Sequence, residues 1–342
     1  MNRPSTPSSR PPPARDEDQE LRLREREWQN RVGHALLDKP FEDEGSAFVF
    51  QRQFERVERA IGVPLPGPLV EVGAGRGQFL GHLRRTRVGR GRLLVGVDVS
   101  VAVRALPARG AAPVRADGEA LPFRDESVAV VVYNGSLHHV VDYRKAVAEA
   151  FRVLRPGGRL VVFEPSSTVF NRVVHRVLDP IVFRAKVEYE SPVDRFRKHA
   201  FSEAEVVEEI LRFSASVVRE RSDFLAYPVT GCYAGSALAR FPRLMKGLVD
   251  AERAFEESAV LGPLSRLFSW RFLAVADKPF SRDAAFGDTV RALTDILVCP
   301  RCRGPLEKPR VKEGFYCPKC RVVYRVEHGV PVLIVEEAER PM

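Results

Sequence analysis

The chain has no apolar run approaching the ~20 residues that cross a bilayer. Its longest, near Val128–Tyr133, is the length of one buried strand. Cysteine is scarce, five in 342 residues, which argues against a disulfide-stapled secreted domain. The opening Met1–Arg15 is rich in Pro, Ser and Arg and lacks the apolar segment of a secretory signal, so a cytoplasmic location is expected. Charge of one sign is also short: 54 Lys+Arg face 45 Asp+Glu, a net +9, which permits an acidic partner without requiring one. What is present, 44% hydrophobic and 29% charged residues, suits a globular chain of about two domains.

Residues 1–31 read as a disordered tail. Pro11-Pro12-Pro13 bars a helix there, and the charge-dense half after Asp16 offers only Leu21, Leu23 and Trp28 for burial, so a short exposed helix in that half is the alternative to a solvated leader. From Phe48 to Ile61 apolar residues recur at helical spacing. Strands and helices then alternate. Pro68–Val72, Leu93–Val97, Val114–Ala116, Val128–Tyr133 and Arg159–Glu164 read as strands, with helices over Gln78–Arg85, Val101–Leu106 and Tyr143–Leu154 between them. Near-continuous Val/Leu strands that alternate with helices predict a parallel sheet covered on both faces. Two further strands are expected at Ser216–Tyr227 and Arg271–Ala276, with helical insertions at about 165–212 and 228–268. The boundaries that follow are a catalytic-type α/β domain at 32–279, a linker at 280–290 and a small module at 291–336.

Leu69-Val70-Glu71-Val72-Gly73-Ala74-Gly75-Arg76-Gly77 runs from a strand into a helix. Alternate glycines let the backbone turn and approach a ligand beside helix N–H groups. The spacing G-x-G-x-G departs from the pyrophosphate-binding G-x-G-x-x-G. Backbone amides with Glu71 suit a ligand that carries both a carboxylate and an ammonium. Asp98, ending Val95-Gly96-Val97-Asp98-Val99, is placed to accept from ribose hydroxyls, a feature that NAD enzymes share. Asp117 in Ala116-Asp117-Gly118-Glu119 follows strand three, and Tyr133-Asn134-Gly135-Ser136-Leu137-His138-His139 follows strand four.

Together these motifs resemble the class I S-adenosylmethionine-dependent methyltransferases, in particular the branch that acts on small molecules. The resemblance covers about residues 45–165. It implies a Rossmann-like, seven-stranded, mostly parallel α/β sheet with a helical cap. It also implies that Gly73, Ala74, Gly75 and Gly77 hold the methionine end of S-adenosylmethionine, with Glu71 near its ammonium. Asp98 and Val99 would take the ribose, Asp117 and Gly118 the adenine, and Asn134 the floor near the sulfonium. His138 and His139 are candidate bases, since imidazole titrates near neutrality; the alternative is that the pair packs the strand-to-helix turn. No Asn-Pro-Pro-Tyr-like stretch follows strand four, which argues against amide or adenine-N6 methylation. The basic run Arg195-Phe196-Arg197-Lys198-His199 reads as a solvated face rather than an anion site, and Cys232 as a small apolar side chain.

Cys299-Pro300-Arg301-Cys302 and Cys317-Pro318-Lys319-Cys320 form two C-x2-C pairs separated by 14 residues, the spacing of a four-thiolate Zn2+ site. Four cysteine ligands leave no open position, so the ion is structural; a rubredoxin-type iron is the alternative. The surrounding residues 291–336, including Tyr324 and Gly329-Val330-Pro331-Val332-Leu333-Ile334, resemble a zinc-ribbon family. Its members are the activator subunit of translation-related methyltransferases and short bacterial relatives. That resemblance implies a ribbon docked on the methyltransferase domain of the same chain. From Cys299 to Arg325 there are eight Lys/Arg and two acids, enough for a weak nucleic-acid surface. The expected activity is methyl transfer to a small molecule such as a lipid, quinone, glycan or secondary metabolite. RNA or a translation protein is the alternative acceptor, and a non-catalytic scaffold the third reading.

Overall fold

The computed structural model describes residues 15–37, 44–62, 65–166, 168–182, 191–193, 202–227, 241–280, 292–307 and 314–340. The basic run at 195–199, Cys232, the first 14 residues and all of the 280–290 linker after Phe280 lie outside them. Seven strands form one sheet: β1 (Leu69–Val72), β2 (Leu94–Asp98), β3 (Ala112–Arg115), β4 (Val128–Asn134), β5 (Leu154–Pro165), β6 (Val218–Ser222) and β7 (Arg271–Asp277). Their order is β3-β2-β1-β4-β5-β7-β6. The first five are parallel, while β7 pairs antiparallel with both β5 and β6. β1 is buried at all four positions and β4 at six of seven, as strands covered on both faces must be.

Two apolar layers cover the sheet. On one face α2 (Glu44–Ile61) brings Val57 and Ile61, and α3 (Gln78–Leu83) brings Phe79, Leu80 and Leu83, onto Leu69, Val130, Val132 and Val161. On the other, α4 (Tyr143–Val153) packs Ala146, Val147 and Ala150 with Val206 and Ile210 of a helix at Glu203–Leu211. α5 (Val169–Val182) leaves the end of β5, the Glu203–Leu211 helix is α6, and α7 (Pro242–Glu257) packs on α2. There Arg52 donates to Glu252 at 2.9 Å and Arg56 to Glu256 at 2.7 Å, with Arg52, Arg56 and Glu252 buried and Glu256 partly so. Burial, then the neighbouring Asp223, pushes the Glu252 carboxyl up to about 7. No helix among the described residues is long and apolar enough to cross a membrane.

Residues Arg15–Leu37, most of which the sequence places in a solvated tail, form the 23-residue helix α1. The reason is visible in what the helix buries. Its inner side is polar: Glu25 and Arg26 are 5% and 8% exposed. Arg22 pairs with Glu119 at 2.8 Å, Arg26 with Glu336 at 2.9 Å, and Glu25 accepts from the Val193 N–H at 3.0 Å. Asn30 accepts from the Val101 N–H at 3.1 Å. A search for apolar periodicity passes over a helix anchored this way.

The C-terminal module is a three-stranded antiparallel sheet of β8 (Gly314–Cys317), β9 (Val322–Glu327) and β10 (Val330–Pro331). It docks on the β3 edge of the large sheet. The Leu333 N–H donates to the Arg115 carbonyl at 2.7 Å, and the Val298 N–H to the Pro122 carbonyl at 2.9 Å. The Arg124 N–H returns a bond to the Ile296 carbonyl at 2.8 Å. Ile296, Leu297, Tyr324 and Leu333 join Val114, Leu121 and Phe123 in one continuous core.

Candidate functional site

At the carboxyl ends of the parallel strands, where the order reverses between β1 and β4, lies a cavity of about 300 Å³. That position is the usual ligand crevice of an open α/β sheet. Gly73, Gly75, Asp98, Val99, Asp117, Gly118 and His139 line it. Glu71, Ala74, Gly77, Asn134 and His138 are not part of the lining. α1 adds Arg22, Glu25, Arg26, Trp28, Gln29 and Val32 to the lining, none of them expected at the site from the sequence.

The glycine loop is built for close approach. Gly73 (φ 75°) lies so near Ser136 that a Cβ would meet that side chain at 2.2 Å, while Gly75 (φ 51°) has nothing within 4 Å of its own. Gly77 instead turns the chain into α3 with left-handed backbone. The Ser136 hydroxyl donates to the Val72 carbonyl at 2.5 Å, tying the β4 end to the loop. Asp98 holds the loop from the other side, accepting from the Gly75 N–H and the Ser100 N–H, each at 2.8 Å. Each carboxylate oxygen takes one such bond and keeps capacity for a ligand hydroxyl.

Glu71 sits behind the loop, 4% exposed, with its Oε2 unpartnered. Burial, then the nearby Asp98, holds its carboxyl well above the usual range. A buried acid with an orphaned oxygen fits a ligand that brings a positive charge to the loop. Asp117 accepts from the Glu119 N–H at 2.9 Å. Glu119, raised by burial and then by Asp117, is bound by Arg22 of α1 and by the Asp142 N–H at 3.0 Å.

The histidine pair divides. His139 faces the cavity, stacked with Trp28 at 6.3 Å between ring centroids, its Nδ1 3.2 Å from the Ser191 hydroxyl. His138 instead turns its Nδ1 onto Oε2 of Glu164 at 2.6 Å. Glu164 is fully buried at the end of β5 and also accepts from the Ser136 and Leu137 N–H groups at 2.8 and 2.7 Å. Burial alone would raise its carboxyl, but His138 and these N–H groups outweigh that and leave it below the usual range. An ionised Glu164 only accepts, so Nδ1 of His138 carries the hydrogen and Nε2 is the nitrogen able to take up a proton.

In the ribbon, the sulfurs of Cys299, Cys302, Cys317 and Cys320 all lie within 4.8 Å of one another. Zn–S bonds of about 2.3 Å in a tetrahedron put sulfurs about 3.8 Å apart, which this cluster fits. The two knuckles repeat one shape: the Arg303 N–H donates to the Cys299 carbonyl at 2.7 Å and the Arg321 N–H to the Cys317 carbonyl at 2.8 Å. Both arginines take left-handed backbone, φ 58° and 55°. The cluster is positioned to bind one structural zinc ion.

Comparison with known proteins divides the chain in the same way. Residues 70–162 match the family described as "Methyltransferase domain", and residues 291–329 the family "Trm112p-like protein". A UPF0434 protein of Methylobacillus flagellatus is 40% identical over 48 residues, 14% of this chain and 80% of that protein. The ubiquinone/menaquinone biosynthesis C-methyltransferase UbiE of Cronobacter sakazakii is 47% identical over 57 residues, 17% of this chain and only 23% of its own length. The geranyl diphosphate C-methyltransferase of Streptomyces coelicolor aligns over 78% of this chain and 99% of its own, at 18% identity and a TM-score of 0.45. That last likeness adds nothing to what the strand order already shows.

Proposed function

We propose that this chain, which combines a methyltransferase domain with a Trm112p-like zinc ribbon, catalyses S-adenosylmethionine-dependent methylation of an apolar small molecule of the quinone or lipid class. The observation that carries the reading is the cavity at the switch point, where Gly73, Gly75, Asp98 and Asp117 converge. When bound, S-adenosylmethionine supplies an electrophilic methyl group. Gly75 offers close backbone approach, Asp98 binds the ribose hydroxyls, and Asp117 with Gly118 faces the adenine. Glu71, behind the loop, ionises more readily once an ammonium is brought to it, and that coupling favours the ligand. Trp28 and the rest of α1 shield the cavity from water. Where the acceptor has to lose a proton, the histidine pair receives it: His139 stands at the cavity wall, and His138, its ring centroid 4.0 Å from that of His139, is held by Glu164 with Nε2 left as the accepting nitrogen.

The UbiE likeness supports the quinone class, although the chain spans under a quarter of that protein. The position of the ribbon supports it too. The ribbon grips the strand edge on either side of the Asp117–Glu119 loop, through the Arg115 and Pro122 carbonyls. It therefore braces the cofactor side of the sheet, away from the β5 and β7 ends. A second reading, methylation of RNA or a translation protein, rests on the Trm112p-like match. Incubating the purified chain with methyl-labelled S-adenosylmethionine and fractionated extract separates them. Label in the organic-soluble fraction is the expected result. Label confined to RNA or protein overturns it in favour of the second reading, and donor binding without transfer to any fraction makes the chain a scaffold.

A further inference from the structure

α5 is amphipathic with its apolar stripe turned the wrong way for a core helix. Phe170, Val173 and Val177 are 38%, 56% and 58% exposed. At 3.6 residues per turn they fall within about 60° of one another. Beside them lies the segment 258–268, where Val260, Leu264 and Leu267 are 78%, 49% and 60% exposed. The two pieces are one surface: the Phe170 and Phe268 rings meet edge-on at 4.9 Å, and the Asn171 amide donates to the Ser166 and Ser269 carbonyls. Contiguous apolar surface of this kind marks an interaction site.

The charge around it names the occupant. Residues 168–177 and 258–268 contain no Asp or Glu, whereas Arg172, Arg176 and Arg266 are exposed on them. We propose that this face docks the enzyme on an anionic bilayer, the apolar side chains entering the headgroup boundary and the three arginines meeting lipid phosphates. A second copy of the chain fits poorly, because a two-fold contact would press these arginines together with no acid within the two stretches to meet them. The location also fits. Pro165, which leads into α5, pairs with Arg271, which follows Phe268, so both pieces spring from the sheet edge that holds the cavity. An acceptor dissolved in the membrane would then reach the site without crossing water. The substrate side of this inference rests on the proposed lipid or quinone class; the docking itself does not.

The test is flotation of the full chain with vesicles of phosphatidylcholine alone and with phosphatidylglycerol added, in the absence of methyl donor. Binding to the anionic vesicles that weakens with salt is expected. Each of Arg172→Ala, Arg176→Ala and Arg266→Ala should cost about fivefold in affinity. Val173→Glu with Leu267→Glu should abolish binding. These positions are exposed, and unchanged S-adenosylmethionine affinity in the double variant shows that the fold persists. No flotation with either vesicle overturns the proposal, as does flotation that the Glu substitutions leave intact. A concentration-dependent dimer broken by Val173→Glu, or a protein partner competing with vesicles for this face in neutral lipid, also overturns it. Because the assay needs no turnover, failure of methyl transfer would sink the catalytic reading and leave the docking standing, and the converse holds.

Discussion

Removing the ribbon should destabilise the domain that carries the cavity, not merely delete an appendage. The perturbation is truncation after Phe280. On the sheet side, Val114, Leu121 and Phe123 are 0–1% exposed within the core that Ile296, Leu297 and Leu333 complete. Fully burying such a side chain contributes roughly 1.5–3 kcal/mol. Uncovering about half of each of the three therefore costs about 2–5 kcal/mol. The Arg115 and Pro122 carbonyls, left without Leu333 and Val298, recover water and add little. Against a typical stability of about 5–15 kcal/mol this is a large fraction. At about 2–4 °C per kcal/mol for a domain of this size, Tm should fall by roughly 4–20 °C. The assay is thermal unfolding of the full and truncated chains, with S-adenosylmethionine affinity measured by calorimetry below both transitions. A truncated chain that melts within about 2 °C of the full one and stays monomeric would refute the reasoning, because the ribbon would then cover nothing the domain needs covered.

Asp98→Ala should weaken S-adenosylmethionine binding at least ~tenfold through lost charge-assisted hydrogen bonds, and an unchanged calorimetric affinity would remove Asp98 from the site. Glu71→Gln should act with opposite signs. Its folded carboxyl is raised above the unfolded value, so the charged group costs stability increasingly as pH rises from about 4.3 through the folded value, and Gln relieves that cost at neutral pH while weakening donor binding. Denaturant titrations across pH, paired with donor titrations, read both effects. Glu164 has the reverse shift: its stabilisation is present above the unfolded value near ~4.3 and is lost as pH falls through the lower folded value. Glu164→Gln should therefore destabilise at neutral pH, with the deficit shrinking in acid. Turnover should also drop and its acid limb shift while S-adenosylmethionine affinity holds; an unmoved pH profile would make Glu164 purely structural.

The parts of this fold that were legible are those where one residue type does one job. Val128–Tyr133 is continuous Val and Ala with a closing Tyr, and only a strand buried on both faces uses such a run. Asp98 and Asp117 could be placed because each ends or follows a strand whose length was already fixed. Glu164 was read only as the end of strand five, since its partner His138 lies 26 residues earlier and no local pattern links them. α1 hid for a different reason. Its inner face is made of Arg22, Glu25 and Arg26, and such a face gains stability only once Glu119, Val193 and Glu336 have been brought to it by the rest of the chain.

The same contacts tie the three parts of the molecule together. Glu119 receives Arg22 of α1 and sits in the loop that follows β3. Glu336 of the ribbon receives Arg26, one helical turn along α1. Arg303, beside the first zinc knuckle, reaches Glu149 of α4 at 2.9 Å, and Glu149 accepts from the Leu121 N–H at the far end of that loop. The Asp117–Glu119 loop is thus held by α1 on one side and by the ribbon, directly and through α4, on the other. Individually these ion pairs contribute little, because several of the partners are half exposed. Their shared consequence is geometric. A zinc knuckle that loses its shape releases Arg303 and Leu297, and with them the backbone around Pro122. The Asp117–Glu119 stretch of the cavity lining then loses its support while every residue of the glycine motif remains in place. An intact glycine motif in this chain therefore does not guarantee an intact site, because the motif supplies one part of the lining while α1 and the ribbon hold another.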